Sequence, residues 1–307
     1  MKNLNYTRVR RFILIGLSSD PEQQTLLFLL FLCLYILNLV GNTLMVLTIT
    51  LSSRLKSPMY YFLRNLSFID ICFTSTTVPK MLIDFLSSEK TISFIGCIAQ
   101  MYSFISLGGV ECLLLAVMSL DRYVAVCKPL RYTVIMNKQV IFLLVASCWV
   151  AGLLNSLGHT VFTFRLPFCR SNLINHFFCD IPPLLALSCS DTHVNEVMIY
   201  TTGGSVIISS FTLTLLSYVF IILAILKIQT SEGRHKAFST CLSHLTVVCL
   251  FFGAAVFTYI RPISINDLRQ DKVIPVIFGI VTPTFNPVIY SLRNNDVQGV
   301  LKKSCIR

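Results

Sequence analysis

Two groups of charged residues lie where the chain is otherwise apolar. Asp121 and Arg122 are adjacent at the end of an apolar run, in the segment VMSLDRYVAVCKPLRY at 117–132. Asp70 and Glu111 fall within long apolar runs. A carboxylate at the centre of a membrane costs roughly 2.5–3.5 kcal/mol on insertion scales, so each one needs a partner. Such residues can bind a cation, carry a proton, or form a latch whose partners differ between two helix packings.

The composition excludes a soluble globular protein. The chain has 307 residues, of which 13% are charged and 54% are hydrophobic, and its mean hydropathy is +0.74. A soluble domain carries about 25% charged residues. The bilayer must therefore be the main solvent of this chain.

Seven apolar stretches are long enough to cross a hydrocarbon core of about 30 Å. The second stretch is the weakest, because Arg64, Asp70 and Pro79 interrupt it. The stretches are continuous and do not alternate with period two, which favours helices over a β-barrel. We therefore predict an all-α membrane protein, a seven-transmembrane helix bundle. The predicted spans are 26–50, 59–86, 97–121, 139–158, 196–226, 237–260 and 273–292.

The basic residues predict the orientation of the bundle. Seven spans put the two termini on opposite sides, and the positive-inside rule makes the more basic side cytoplasmic. We therefore expect an extracellular tail at 1–25, a transmembrane domain at 26–292 and a cytoplasmic tail at 293–307. The glycosylation sequon at Asn5 fits an extracellular amino terminus. The cytoplasmic basic residues are Arg54, Lys56, Arg131, Lys138, Lys227, Arg234, Lys236, Lys302 and Lys303.

The net charge of +11 does not require a nucleic-acid partner. The basic residues are scattered among short loops beside apolar helices, where they meet anionic membrane lipid. We see no nucleic-acid-binding module, so membrane lipid is the expected partner. After the seventh span, SLRNNDVQGVLKKSC alternates basic and apolar residues, which predicts a short cytoplasmic amphipathic helix.

Five segments, spread over nearly the whole chain, resemble a known family. Together, and in this order, they resemble the rhodopsin-like (class A) G-protein-coupled receptors, and specifically the olfactory receptors. The segments are LVGNTLMVL at 39–47, PMYYFLRNLSFIDIC at 58–72, SLDRYVAVCKPLRY, KAFSTCLSHLTVV at 236–248 and PTFNPVIYSLRN at 283–294.

The resemblance implies a plasma-membrane receptor, not an enzyme, that raises cyclic AMP through a stimulatory, olfactory-type heterotrimeric G protein. In this family the arginine of the Asp-Arg-Tyr segment, here Arg122, contacts the G protein once the sixth helix swings outward. The alternative is that Asp121 and Arg122 form an ordinary pair at the membrane boundary. The switch residues that the resemblance implies are Asp121, Arg122, Tyr123, Tyr218, Asn286, Pro287 and Tyr290.

The resemblance also implies a ligand pocket in the outer half of the bundle, between the third, fifth and sixth helices. Aminergic receptors carry an aspartate where this chain has Phe104, so we expect a small, neutral, mostly hydrophobic odorant. Thr202 and Tyr259 supply most of the polar lining. Ordinary helix packing is the alternative role for each residue. The predicted lining is Phe104, Ile105, Gly108, Thr202, Val206, Phe252, Val256 and Tyr259.

Asp70 lies where related receptors hold a sodium ion. We therefore predict that Asp70 and Glu111 flank a sodium or proton site, with helix-packing polarity as the alternative. We expect no other cofactor.

Four of the twelve cysteines face the oxidising side of the membrane, which favours two disulfides. The residues alone leave three pairings open. A metal site is an alternative, because His176 and Asp180 flank one of these cysteines. The pairs that we predict, consistent with the family resemblance, are Cys97–Cys179 and Cys169–Cys189.

Two other protein classes fit the sequence less well. A transporter typically shows repeats between its two halves, and no such self-similarity is visible here. An intramembrane enzyme would need a catalytic motif, and neither His-Glu-x-x-His nor Gly-x-Ser-x-Gly occurs.

Overall fold

Seven long helices follow one another along the part of the chain that the structure describes. The computed structural model describes residues 9–169, 171–259, 270–292 and 299. Six of the helices are long and apolar enough to cross a membrane, and the sixth in order, α6, contains a shorter apolar segment, Cys241–Ala255. The predicted helix bundle is therefore confirmed. The helices are α1 (Pro21–Leu51), α2 (Pro58–Leu86), α3 (Phe94–Cys127), α4 (Lys138–Phe164), α5 (His193–Leu226), α6 (Ser231–Tyr259) and α7 (Lys272–Ser291).

Several helices extend beyond the apolar stretches that predicted them. The predicted first span began at residue 26, whereas α1 begins at Pro21, inside the segment that we had assigned to the tail. Asp20 caps this helix by accepting a hydrogen bond from the Glu22 backbone N–H at 3.1 Å, and proline is favoured at the first helical position. Hydropathy detects only the membrane-crossing part of a helix, whereas caps set its ends.

A small three-stranded sheet lies at one end of the bundle, which we call the sheet end. Its central strand β1 (Arg11–Leu14) pairs antiparallel with β2 (Thr91–Ser93) and parallel with β3 (Leu173–Ile174). Phe12 and Leu14 of β1 are buried. The sequence analysis did not predict these strands. They tie the amino-terminal segment to the α2–α3 and α4–α5 loops.

The turn from β1 to α1 depends on Gly16, whose φ of 79° lies in the left-handed region. Lys272, at the start of α7, donates to the Gly16 carbonyl at 2.9 Å. Lys90, beside β2, donates to the Ser18 carbonyl at 3.4 Å. The amino-terminal segment is thereby bonded to three separate parts of the sheet end.

Two helices contain a wide turn. Within α5 the residues Ile199–Gly203 form a π-helical turn, and within α7 the residues Ile277–Val281 form another. Such turns occur frequently at functional sites. The amphipathic helix predicted after the seventh span lies outside the described residues, as does Asn5.

The helix α3 packs against α2, α4 and α5, and its approach to α4 is the closest. A Cβ added to Gly152 of α4 would lie 2.5 Å from Cγ2 of Val110 and 3.0 Å from the backbone oxygen of Ser106. Only glycine fits here without moving the backbone.

We predict that Gly152→Ala forces α4 away from α3 and destabilises the protein by about 1–3 kcal/mol. Gly253→Ala in α6 is the matched control, because no described atom lies within 4 Å of a Cβ added there. Alanine is also the better helix former, so this control should keep or slightly raise the melting temperature. The measurement is thermal unfolding in detergent, and equal melting temperatures for the two variants would contradict the close packing.

Candidate functional site

A cavity lies toward the sheet end of the bundle, bordered by α3, α4, α5, α6 and α7. The volume open to the centre of a water molecule is about 80 Å³. That is room for several water molecules, and therefore for a small organic molecule. The described residues that line it are Phe104, Ile105, Gly108, Gly109, Cys112, Asn155, His159, Ile181, Ile199, Gly203, Val206, Ile207, Phe251, Ala255 and Phe278.

The cavity walls are mainly apolar, with two polar side chains from α4. His159 is buried, and its Nε2 lies 3.1 Å from the Thr202 hydroxyl. Asn155 lies one helical turn earlier on the same face and is half-buried. The described lining contains no Asp, Glu, Lys or Arg. The cavity can therefore offer hydrogen bonds to a ligand but no fixed ionic partner.

A cluster of aromatic rings fixes one wall of the cavity. The Phe104 ring of α3 lies 4.4 Å from Phe178, 4.8 Å from Phe73 and 5.6 Å from Phe278, measured between ring centroids. Gly108, one turn further along α3, leaves space beside Phe73. The four rings belong to α2, α3, α7 and the α4–α5 loop, so the position of Phe104 depends on how these elements pack.

The α4–α5 loop closes the cavity at the sheet end through Ile181. The Cys179 backbone N–H donates to Gln100 of α3 at 3.0 Å, which holds the loop against the helix. Asp180 accepts a hydrogen bond from the Ile181 N–H at 2.8 Å and so begins a short helix, Ile181–Leu185. Burial raises the pKa of the Asp180 carboxyl to about 6, because the charged form loses its hydration.

Two disulfides join the same loop to the rest of the sheet end and to itself. Cys97 of α3 is bonded to Cys179, and Cys169 is bonded to Cys189, with Cα atoms 5.5 Å and 5.8 Å apart. These are the pairs that we predicted. Cys179 is thus not a free thiolate, and no three His, Cys, Asp or Glu side chains of the described residues group together to hold a metal. The structure gives the metal alternative no support.

At the opposite end of α3, Asp121 and Arg122 do not pair with each other. Asp121 is fully buried and accepts a hydrogen bond from the Tyr132 hydroxyl at 2.8 Å. Burial, and then the nearby Asp121 carboxylate, raise the pKa of Tyr132, so its hydroxyl stays a donor. The half-buried Arg122 guanidinium forms no ion pair, and its Nε has no hydrogen-bond partner among the described residues. Asp121 and Arg122 therefore act on each other electrostatically without forming an ion pair.

Arg122 instead lies among polar groups from α5, α6 and α7. It acts electrostatically on Tyr218, His244 and Tyr290. The Tyr218 hydroxyl lies 2.7 Å from His244 Nδ1 and 3.2 Å from the Cys241 carbonyl. The buried Tyr290 hydroxyl has no partner among the described residues. Three helices thus place groups that can exchange hydrogen-bond partners near one cation.

Tyr123, the third residue of the Asp-Arg-Tyr segment, faces α5. Its ring centroid lies 5.9 Å from that of Phe220 and 5.9 Å from the Lys128 ammonium group. It contributes to the packing between α3 and α5, against a hydrophobic cluster that includes Tyr218.

A second polar cluster lies midway along the bundle. Asp70 accepts a hydrogen bond from the Asn286 side chain at 3.0 Å, and Asn42 donates to the Pro283 carbonyl at 3.1 Å. Glu111 is fully buried and lies close enough to Asp70 for the two carboxyl groups to repel each other. One oxygen of Asp70 and both oxygens of Glu111 lack partners among the described residues.

Comparison with known proteins identifies the family. The family model described as "Olfactory receptor" matches residues 31–307. The chain belongs to the olfactory receptor family. The receptor is 47% identical to "Olfactory receptor 5G9" of Mus musculus, over 99% of its own length and 97% of that relative. It is 49% and 48% identical to "Olfactory receptor 5AP2" of Mus musculus and of Homo sapiens, each over 99% of its length and 96% of the relative.

Membership settles the general function. Olfactory receptors are multi-pass G-protein-coupled receptors that bind small-molecule odorants, and they are not enzymes. The receptor therefore needs a ligand site, a surface for a G protein, and a means of connecting them.

Half of the predicted pocket residues line the cavity. Phe104, Ile105, Gly108 and Val206 do so. Phe252 does not: it is buried against Phe211 and Phe251, with ring centroids 5.6 Å apart in each pair. Adjacent helical residues point about 100° apart, and in α6 it is Phe251 that faces the cavity.

Three other pocket predictions have different outcomes. Thr202 bonds to His159, which lines the cavity, but Thr202 is not itself part of the lining. The side chains of Val256 and Tyr259 lie outside the described part of the receptor.

The contribution of α4 to the cavity was not predicted from the sequence. His159 and Asn155 supply the polar groups of the cavity wall, and a histidine inside the apolar run SLGHTVFTF was the available signal. The partners of the switch residues, Tyr132 and His244, were not predicted either, although both lie within segments that carried the family resemblance.

Proposed function

We propose that the receptor binds a small, neutral, mostly apolar odorant in this cavity and activates a stimulatory, olfactory-type heterotrimeric G protein, raising cyclic AMP. The observation that carries the proposal is the cavity itself, with apolar walls and two uncharged polar groups, His159 and Asn155. An apolar ligand gains from leaving water, and one hydroxyl, carbonyl or ester group can satisfy the α4 side chains. A cationic amine would be buried without a counter-ion.

The geometry of α3 supports a coupling to the G protein through helix packing. Gly108, beside the cavity, and Arg122 are separated along this helix by about 21 Å. The odorant therefore cannot touch Arg122 and must act by changing how the helices pack. Arg122 lies within electrostatic range of Tyr218, His244 and Tyr290 on α5, α6 and α7. Movement of α6 would therefore change the surroundings of Arg122 and would expose it to the G protein.

The receptor would lie in the plasma membrane with its amino terminus and the sheet end outside. Both disulfides lie at the sheet end, which suits an oxidising compartment. The opposite end carries Arg54, Lys56, Arg131, Lys138 and Lys227, which suits the cytoplasmic leaflet and its anionic lipids.

The polar cluster around Asp70 and Glu111 would hold a sodium ion or a shared proton. A single positive charge between the two carboxyl groups would remove their repulsion and satisfy their unpartnered oxygens. Carboxylate and amide oxygens are suitable ligands for a hard cation, and the Asn42 and Asn286 side-chain oxygens are also without described partners. The cluster links α1, α2, α3 and α7, so a change in its charge would alter helix packing.

We predict that Gly108→Leu and Val206→Phe change the order in which odorants activate the receptor. Each substitution adds four carbon atoms at a position that lines the cavity, and even one methylene group in a hydrophobic pocket shifts relative potency by roughly tenfold or more. The measurement is cyclic AMP in cells that express an olfactory stimulatory G protein, over a panel of volatile odorants. Gly253→Leu is the control, since a Cβ at Gly253 meets no described atom within 4 Å. An unchanged odorant order at equal surface expression would place the binding site elsewhere.

For the polar cluster, we predict that odorant potency depends on sodium concentration or pH in the wild type. Asp70→Asn and Glu111→Gln remove the charges but keep the shape and much of the hydrogen bonding, so this dependence should disappear. Ser119→Ala, which removes a different buried polar group of α3, serves as the control. Response curves that move identically in all forms would show that the cluster only packs the helices.

A further inference from the structure

A basic cleft opens between α1, α2 and α4 at the end of the bundle that carries Arg122. Three cations line it: Lys56 from the α1–α2 loop, Arg64 from α2 and Lys138 from the first turn of α4. None of its lining residues is acidic, and its volume is about 380 Å³. This cleft is separate from the odorant cavity and from the cluster around Arg122.

Arg64 is the residue that needs an explanation. It lies six residues inside α2, about 9 Å from the start of the helix. It is half-buried and forms no ion pair with a described residue. Its guanidinium lies 4.9 Å from the centroid of the Tyr61 ring, one turn nearer the helix start. A cation at this depth without an acidic partner among the described residues is able to bind an anion from outside the chain.

The other walls of the cleft carry three hydroxyl side chains, Thr50, Ser52 and Ser57, and an apolar part that is continuous with the lipid-facing surface. Ile49 of α1 and Ile141 of α4 line it, and Phe142 of α4 is 63% exposed. Two helical turns further along α4 lies Trp149, beside the exposed Phe68 of α2 with 6.3 Å between ring centroids. The surface is therefore basic at the membrane boundary and apolar toward the membrane centre.

We propose that this cleft binds an anionic phospholipid of the cytoplasmic leaflet, with its phosphorylated headgroup among Lys56, Arg64 and Lys138 and an acyl chain along Phe142 toward Trp149. Three cations without an acid match a phosphoinositide, whose phosphodiester and ring phosphate together carry a comparable negative charge. Basic pockets between transmembrane helices on the cytoplasmic side bind such headgroups. The proposal uses the orientation proposed above only to name the leaflet.

The receptor contains a single tryptophan, which makes the site directly measurable. Bromine atoms on acyl chains quench tryptophan fluorescence at close range. In vesicles of dibrominated phosphatidylcholine, Trp149 should be quenched. A small fixed fraction of unbrominated phosphatidylinositol monophosphate should then restore its emission far more than the same fraction of unbrominated phosphatidylcholine. A soluble phosphate cannot displace an acyl chain, so recovery reports a bound lipid. Because both leaflets contain the probe, the result does not depend on orientation or on odorant binding.

The triple variant Lys56→Gln, Arg64→Gln, Lys138→Gln should lose this preference. At about fivefold per cation, the relative affinity for the anionic lipid should fall on the order of a hundredfold. Arg64→Lys keeps the charge and should retain most of the preference. The matched control is Arg54→Gln, Arg131→Gln, Lys227→Gln, which removes the same charge from exposed positions outside the cleft. Equal quenching in pure brominated lipid would show that each variant is folded around Trp149.

Three outcomes would overturn the proposal. The first is recovery by the phosphoinositide no larger than recovery by phosphatidylcholine. The second is a preference that survives in the triple variant, which would mean that Arg64 reaches water and the cleft is not a lipid site. The third is an equal loss of preference in the control, which would indicate diffuse attraction to the whole basic surface.

Discussion

The structure depends on one constraint: polar groups that lie inside an apolar bundle need partners within the protein, because lipid offers none. Asp70 and Asn286 join α2 to α7, and Asn42 joins α1 to the backbone of α7 at Pro283. Each such bond fixes the position of one helix relative to another. The same constraint makes the helices sensitive to a change of charge, since a buried polar group that loses its partner destabilises the packing that held it.

The helix α3 connects the features that matter for signalling. Its first half faces the cavity, its middle carries Glu111, and its last turns carry Asp121 and Arg122. The glycine contact with α4 leaves α3 little freedom to move on that side. Movement is therefore easier on the side of α5, α6 and α7, where Arg122 meets hydroxyl and imidazole groups that can exchange partners.

The sequence was sufficient for the helix bundle and for the positions of the intramembrane charges, because long apolar runs and the charges that interrupt them are unambiguous. It was not sufficient for strands of two to four residues such as β3, whose pairing depends on residues far away in the chain. Nor could it assign His159 to the cavity, because a lone histidine in an apolar helix does not reveal which neighbour it faces. The family resemblance implied Phe252 as a pocket residue, whereas its neighbour Phe251 lines the cavity.

The most direct test of signalling through α3 is the cyclic AMP response to an activating odorant in Arg122→Ala, compared with Arg54→Ala at equal surface expression. Arg54 is an exposed arginine at the same end of the bundle and lies outside the cluster around Arg122. The response should be lost in Arg122→Ala and kept in Arg54→Ala, because only Arg122 lies within electrostatic range of the polar groups on α5, α6 and α7. A full response in Arg122→Ala would mean that Asp121 and Arg122 only mark the boundary of the membrane.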